Sequence, residues 1–138
     1  MADPRQLIRE FTDAVFNEHR LDAVDTYATR NFVDHDPPQG YQGTLEGFKQ
    51  WTGEFLAAFP DCRCEIDDVI AEGDKAVARS RLIGTNTGPF MGMPATGKTI
   101  EVEGIDIVRV ENGRMAEHWG VYDAASMMQQ LGMMPAAA

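Results

Sequence analysis

The hydrophobic pattern of the chain changes its period once, at Phe59-Pro60-Asp61, and this change limits the possible folds more than any other feature. Before it, apolar residues recur every three or four positions, as on the buried side of amphipathic helices. After it, apolar and polar residues alternate, as in half-buried strands. A chain of 138 residues is long enough for one hydrophobic core. The pattern therefore predicts a single α+β domain over 1–138, with helices before the sheet.

Three helices are predicted in the first part of the chain. The first runs from about 4 to 18 with Asp3 as its N-cap, the second is short, and Thr44 caps the third. Residues 31–36 form a short extended stretch between the second and third helices, because two prolines follow them.

Four strands are predicted after the third helix, in the order of an antiparallel meander. Their bounds are 62–72, 75–86, 99–111 and 114–122. A last helix over 123–131 ends at Gly132, so the ordered core spans about 4–132 and residues 133–138 form a loose tail. A sheet that curls around helices leaves a conical hollow, which is a suitable place for a ligand.

The charge of the chain excludes several partners. Its formal net charge is −10, so nucleic acid and anionic membrane surfaces would be repelled. No apolar run has the roughly 20 residues of a membrane span, and a charged start is unlike a signal peptide, so we expect a cytoplasmic protein. Cys62 and Cys64 point to one face of a strand, which is poor geometry for a disulfide, and with three scattered histidines they lack zinc-site spacing. No metal ion is expected.

A carboxylate and an imidazole are predicted to meet on the last two strands. Residues 111–113 suit a three-residue hairpin loop that pairs Val110 with Arg114. Continued along the strands, this register places Asp106 opposite His118, a candidate proton-transfer pair. A two-residue turn would shift the register by one residue and separate the two side chains.

Small residues share the face of this pair and leave room for a ligand. They are Gly104, Ala116 and Gly120. On the same face, Tyr122 can donate a hydrogen bond to a developing enolate, or it is a packed tyrosine with a solvated hydroxyl. Apolar walls can come from large side chains elsewhere, which spacing alone does not distinguish from ordinary core. These are Phe16, Trp51, Phe55, Phe59, Phe90, Met91 and Met93.

His35 stands between two aspartates just before Pro37. One interpretation places it at the mouth of the pocket as an acid, base or hydrogen-bond donor. The other is a surface histidine held by the neighbouring carboxylates.

Several segments of the chain match one family pattern. They are Phe32-Val33-Asp34-His35-Asp36-Pro37, Phe59-Pro60-Asp61, Gly84-Thr85-Asn86-Thr87-Gly88, Pro94-Ala95-Thr96-Gly97-Lys98 and the run from Gly104 to Trp119. Together they resemble the SnoaL-like polyketide cyclases, or ester cyclases, of the nuclear transport factor 2-like superfamily, over about residues 5–132.

The resemblance implies a cone-shaped α+β barrel that closes a ring in a polyketide methyl ester by a cofactor-independent intramolecular aldol condensation. It also implies a general acid/base Asp two residues after the matching His, a position that is Gly120 in this chain. The family often has His where this chain has Asn86. Members of the superfamily usually pair through the open face of the sheet, so a homodimer is expected.

Three functions fit these observations. In the first, Asp106 and His118 perform proton transfer on a small hydrophobic carbonyl compound, with His35, Asn86 and Tyr122 orienting oxygen atoms. The second is epoxide hydrolysis or ketosteroid-like isomerisation in the same cone. The third is a non-catalytic small-molecule binder that has lost its base at Gly120.

Overall fold

The fold is a five-stranded sheet with helices across its concave face, described for residues 3–133 in a computed structural model. The strands are β1 (Ala28–Asp34), β2 (Arg63–Glu72), β3 (Lys75–Thr85), β4 (Thr99–Glu111) and β5 (Arg114–Tyr122). The helices are α1 (Pro4–Thr12), which continues as a π-helical segment (Asp13–Asn17), α2 (Val24–Tyr27) after a 3₁₀ turn (Leu21–Ala23), α3 (Leu45–Ala58) and α4 (Ala124–Gln130). The α+β class and the helices across a curved sheet are confirmed.

Capping side chains begin three of the helices. The carboxylate of Asp3 accepts from the backbone N–H of Arg5, and the hydroxyl of Thr44 accepts from that of Gly47. Asp123 caps α4 in the same way through the N–H of Ser126. The predicted starts of α1 and α3 are therefore confirmed.

The extended stretch before the two prolines is a full strand. β1 pairs in parallel with β5, and the sheet order is β1-β5-β4-β3-β2. The sheet is therefore mixed, with β5 between a parallel and an antiparallel neighbour. Of the predicted tail, residues 134–138 lie outside the described residues.

Two bulges help to bend the sheet into a cone. In β2, Asp67 is an extra residue between the pairs formed by Ile66 and Asp68. In β5, Ala116 is extra between Met115 and Glu117. A bulge bends its strand and increases the local twist, which favours a curled sheet over a flat one.

The predicted three-residue length of the loop between β4 and β5 is wrong. The loop has two residues, Asn112 and Gly113, with φ of 51° and 77°, as a type I′ turn requires. The first pair is Glu111 with Arg114. This turn by itself would place Asp106 and His118 on opposite faces.

The bulge at Ala116 shifts the register by a further residue. Val108 pairs with His118, and Asp106 pairs with Gly120. The predicted pairing of Asp106 directly opposite His118 is therefore wrong by two residues. Because a shift of two preserves the face, both side chains lie on the concave face as diagonal neighbours.

Asn86 anchors the long loop between β3 and β4. Its side chain is fully buried, and its amide donates to the carbonyl oxygen of Gly88 at 2.8 Å. Its own oxygen accepts from the backbone N–H and the hydroxyl of Thr96. One buried amide thus joins both ends of the loop.

Replacing this amide destabilises the fold. Asn86→Ala leaves the partly buried carbonyl of Gly88 and N–H of Thr96 without these partners, so we expect the free energy of unfolding in urea to fall by about 1–3 kcal/mol. Asn31→Ala makes the same change on an exposed position of β1 and should cost less than about 0.5 kcal/mol. Equal losses in the two variants would contradict the anchoring role.

Candidate functional site

A deep cavity lies between the helices and the concave face of the sheet. The space within it that is open to the centres of water-sized molecules is about 150 Å³. Most of its lining is apolar. The lining includes Phe11, Phe16, Phe32, Phe48, Trp51, Phe55, Leu82, Ile100, Val102, Val108, Met115 and Met127.

The charged groups of the cavity are one imidazole and three carboxylates. They belong to His118, Asp34, Asp36 and Asp106, and none of the described lining residues is Lys or Arg. The cavity therefore offers no cation to a ligand except the ring of His118, and a ligand with a free carboxylate would meet like charge.

His118 lies between two carboxylates from different strands. Its Nδ1 is 2.9 Å from Oδ1 of Asp34 at the end of β1, and its Nε2 is 2.7 Å from Oδ1 of Asp106 on β4. The edge of the Phe48 ring packs against the imidazole. The ring is therefore fixed at both nitrogens and on one side.

These contacts decide the charge of the ring. Burial disfavours the imidazolium, but the hydrogen bonds from Asp106 and Asp34 outweigh it and raise the pKa of His118 to about 9. At neutral pH both ring nitrogens therefore carry protons and donate to the two carboxylates.

The absence of a side chain at Gly120 makes this contact possible. A Cβ there would lie 2.5 Å from Oδ1 of Asp106 and 2.8 Å from Nε2 of His118. A side chain at this position would require the Asp106 carboxylate or the imidazole to shift. The carboxylate of Asp106, on the neighbouring strand, occupies the space that a residue at 120 would need.

Asp34 and Asp36 are site residues that the sequence analysis missed. Both line the cavity, whereas His35 between them does not. Strand alternation predicts that the two aspartates share a face opposite to His35. The sequence pattern did not indicate which of the two faces is concave.

His35 lies on the outer face of the sheet, away from its predicted place at the pocket mouth. Its ring stacks on Trp119 with centroids 4.7 Å apart, and its Nε2 is 2.9 Å from Oε1 of Glu117. Glu117 and Trp119 flank His118 in β5 and therefore point away from the cavity.

The remaining predicted residues separate into two groups. Trp51, Phe55 and Gly120 line the cavity. Asn86 and Phe59 are fully buried outside the lining, Asn86 in the loop anchor and Phe59 against Phe55 and Phe90. Neither is available to orient a ligand in the cavity.

Two further polar side chains face the cavity. Burial raises the pKa of Tyr122 above its ordinary value, so its hydroxyl keeps a proton to donate. Burial also raises the pKa of the Cys64 thiol to about 11, which makes it a poor nucleophile at neutral pH. Within residues 3–133, no group of three or more His, Cys, Asp and Glu side chains is arranged to hold a metal ion.

The cone-shaped sheet, the helices across it and the polar pair in an apolar cavity are those of a nuclear transport factor 2-like domain. The model of the SnoaL-like polyketide cyclase family matches residues 6–131. The chain therefore belongs to the SnoaL-like polyketide cyclase family.

Relatives and solved structures are similar to this chain over most of its length. Nogalonic acid methyl ester cyclase of Streptomyces nogalater is 26% identical over 86% of this chain and 90% of its own length. TsrD of Streptomyces laurentii superposes with a TM-score of 0.83 at 29% identity, covering 97% of this chain and 100% of its own. AclR, a candidate hydroxylase of Streptomyces galilaeus, superposes with a TM-score of 0.88 at 25% identity. The match covers 100% of this chain and 86% of AclR. Within the described part of the chain, no helix is long and apolar enough to cross a membrane.

The charge on His118 links folding to pH. Its pKa is raised from 6.5 to about 9 by folding, so its stabilisation is complete below pH 6.5 and is lost as the pH rises through about 9. We expect the difference in unfolding free energy between the wild type and His118→Gln to shrink over this range, by on the order of 3 kcal/mol at most. Urea unfolding at several pH values measures it. A constant difference would contradict the raised pKa.

Proposed function

We propose that this protein is a cofactor-independent cyclase that closes a ring by intramolecular aldol addition in a small hydrophobic carbonyl compound. The proposal rests on the contact between Oδ1 of Asp106 and Nε2 of His118, which are 2.7 Å apart in an apolar cavity. A base and an acid within hydrogen-bond reach of each other are what enolate chemistry needs. The identity of the methyl ester cyclase relative supports the same reaction class.

The proposed reaction returns every proton to its origin. Asp106 removes a proton from the carbon next to a carbonyl group, and the C–H electron pair becomes the enolate. The enolate carbon attacks a second carbonyl carbon of the same molecule and forms the C–C bond. Nε2–H of His118 protonates the resulting alkoxide, and protonated Asp106 then returns its proton to Nε2. The product is an isomer of the substrate.

The polar side chains and the aromatic wall of the cavity each have a role in the proposed reaction. The imidazolium charge of His118 and the hydroxyl of Tyr122 stabilise negative charge on the enolate oxygen. Asp106 is suited to the role of base because its side chain is 41% exposed toward the open cavity. The aromatic wall that includes Trp51 and Phe55 holds the substrate folded, so that the two reacting carbons meet.

The balance of charge among the described lining residues, one imidazolium against three carboxylates, indicates the substrate class. A free acid would be disfavoured by Asp34, Asp36 and Asp106, whereas a neutral ester or ketone would not. Nogalonic acid methyl ester and aklanonic acid methyl ester, which the names of the relatives give, are therefore suitable first substrates.

Loss of the base should slow ring closure. We expect Asp106→Asn to lower kcat for these esters by roughly 10²–10⁴-fold, measured by chromatographic separation of substrate and product. His35→Gln is the matched control, because His35 lies on the outer face, and it should leave kcat unchanged. Full turnover by Asp106→Asn would refute the proposed base.

Exchange of the two positions tests the geometry more closely. Gly120→Asp alone forces a side chain against Asp106 and His118, so activity should fall. The double variant Asp106→Gly with Gly120→Asp moves the carboxylate to β5 and should recover part of the lost activity. A double variant no better than Asp106→Gly would show that the position on β4 itself matters.

A binder that performs no chemistry is the other outcome of these assays. Trp51 lines the cavity and the other tryptophan, Trp119, lies on the outer face. Fluorescence quenching in the Trp119→Phe variant therefore reports ligand binding at Trp51. Binding without turnover by the wild type would favour the binder.

We also propose a homodimer, formed through the outer face of the sheet. Ile105 and Val121 pair across β4 and β5 and are 45% and 70% exposed, so together they form an apolar patch that a second chain would cover. Beside them, Arg79 and Arg81 form ion pairs with acidic side chains of the same face. Mixed charges around an apolar patch suit contact with a second copy of the chain.

A charge at the centre of this patch should separate the subunits. We expect the wild type to sediment at twice the mass of one 15.3 kDa chain and Val121→Lys to sediment as a monomer. Met91→Lys places the same charge on an exposed loop and should remain dimeric. A monomeric wild type would exclude the dimer.

A further inference from the structure

Asp34 is the most constrained carboxylate of the cavity. Its side chain is 5% exposed, and Oδ1 accepts from Nδ1 of His118 and from the backbone N–H of Asp36. Its backbone N–H donates to the carbonyl oxygen of Gly43, and the next residue donates to the carbonyl oxygen of His118. The backbone hydrogen bonds therefore fix the end of β1, and the two hydrogen bonds to Oδ1 hold the carboxylate beside the imidazole.

Gly43 makes this close packing possible. A Cβ at Gly43 would lie 2.4 Å from the carbonyl oxygen of Asp34, so only glycine fits beside the strand end. The loop before α3 therefore contributes to holding Asp34, although it lies outside the strand.

The two carboxylates that contact His118 differ in their freedom. The side chain of Asp106 lines the cavity and is 41% exposed, whereas that of Asp34 is 5% exposed. The exposed carboxylate has room to move that the buried one lacks. A carboxylate only accepts hydrogen bonds, so an unprotonated Nδ1 would place a lone pair against a buried negative charge. An unprotonated Nε2 would face a carboxylate that is able to move.

We infer that Asp34 is the positioning residue of the site: it keeps the proton on Nδ1 of His118, so that only Nε2 exchanges protons with Asp106 and a ligand. The effect of this arrangement on catalysis rests on the proposed function, but the position of the proton on the His118 ring does not. In this arrangement β1 holds the imidazole and β4 supplies the mobile carboxylate.

The groups that face His118 come from every element packed around it. Asp34 and Asp36 approach from β1 and the residues after it, and Asp106 from β4. Phe48 of α3 contributes an aromatic edge without charge. The hydrogen bond of Asp36 goes to the backbone N–H of Gly120, which makes Asp36 a matched comparison for Asp34.

The test on the wild-type protein is nitrogen NMR of the labelled imidazole across its titration. Above its pKa, neutral His118 should keep its proton on Nδ1, whereas free histidine favours the proton on Nε2. A neutral ring protonated on Nε2 would overturn the inference. No variant is needed, so misfolding cannot affect this result.

A pair of variants tests the role of Asp34 itself. Asp34→Asn keeps the shape and removes the charge, so the proton affinity of His118 should fall by roughly tenfold or more. Asp36→Asn makes the same change two residues away and should alter the affinity by much less. Equal effects in the two variants, or no effect of Asp34→Asn with the fold intact by circular dichroism, would overturn the inference. These readouts are independent of turnover, so a failure of the proposed cyclase activity would be seen separately.

Discussion

The site depends on a buried imidazole held between carboxylates of two different strands. His118 can occupy an apolar cavity in its charged form only because Asp34 and Asp106 each accept a hydrogen bond from one of its two N–H groups. A buried charge without partners would cost several kcal/mol and would lose its proton instead. The position of β5 between β1 and β4 brings these partners together, so the order of the strands is also the condition for the site.

The contact between Asp106 and His118 also explains why a glycine fits at position 120. Resemblance to the family implies a carboxylate at position 120, and its absence first suggests a site without a base. In the fold, however, Asp106 pairs directly with Gly120 and occupies the space of the missing side chain. A side chain at 120 would require Asp106 or His118 to shift from these positions. The glycine therefore leaves room for the carboxylate of the next strand.

Local features of the fold were predictable because neighbouring residues determine them. The change of hydrophobic period separated the helices from the sheet, and Asp3 and Thr44 marked two helix starts. The bounds of the four long strands agreed within one residue, since alternation ends where the turn residues begin. The candidate pair Asp106 and His118 was also correct as a contact, although the register that predicted it was wrong.

The sequence by itself determined the helices, the four long strands and the family, because period, caps and turn residues act over a few positions. Tertiary structure decided which face of β1 is concave, and thus that Asp34 and not His35 reaches the cavity, 84 residues away in sequence from His118. It also decided the register, since the extra residue at Ala116 has no signature in the neighbouring sequence. Pairing between distant strands depends on packing, and packing is a property of the assembled core.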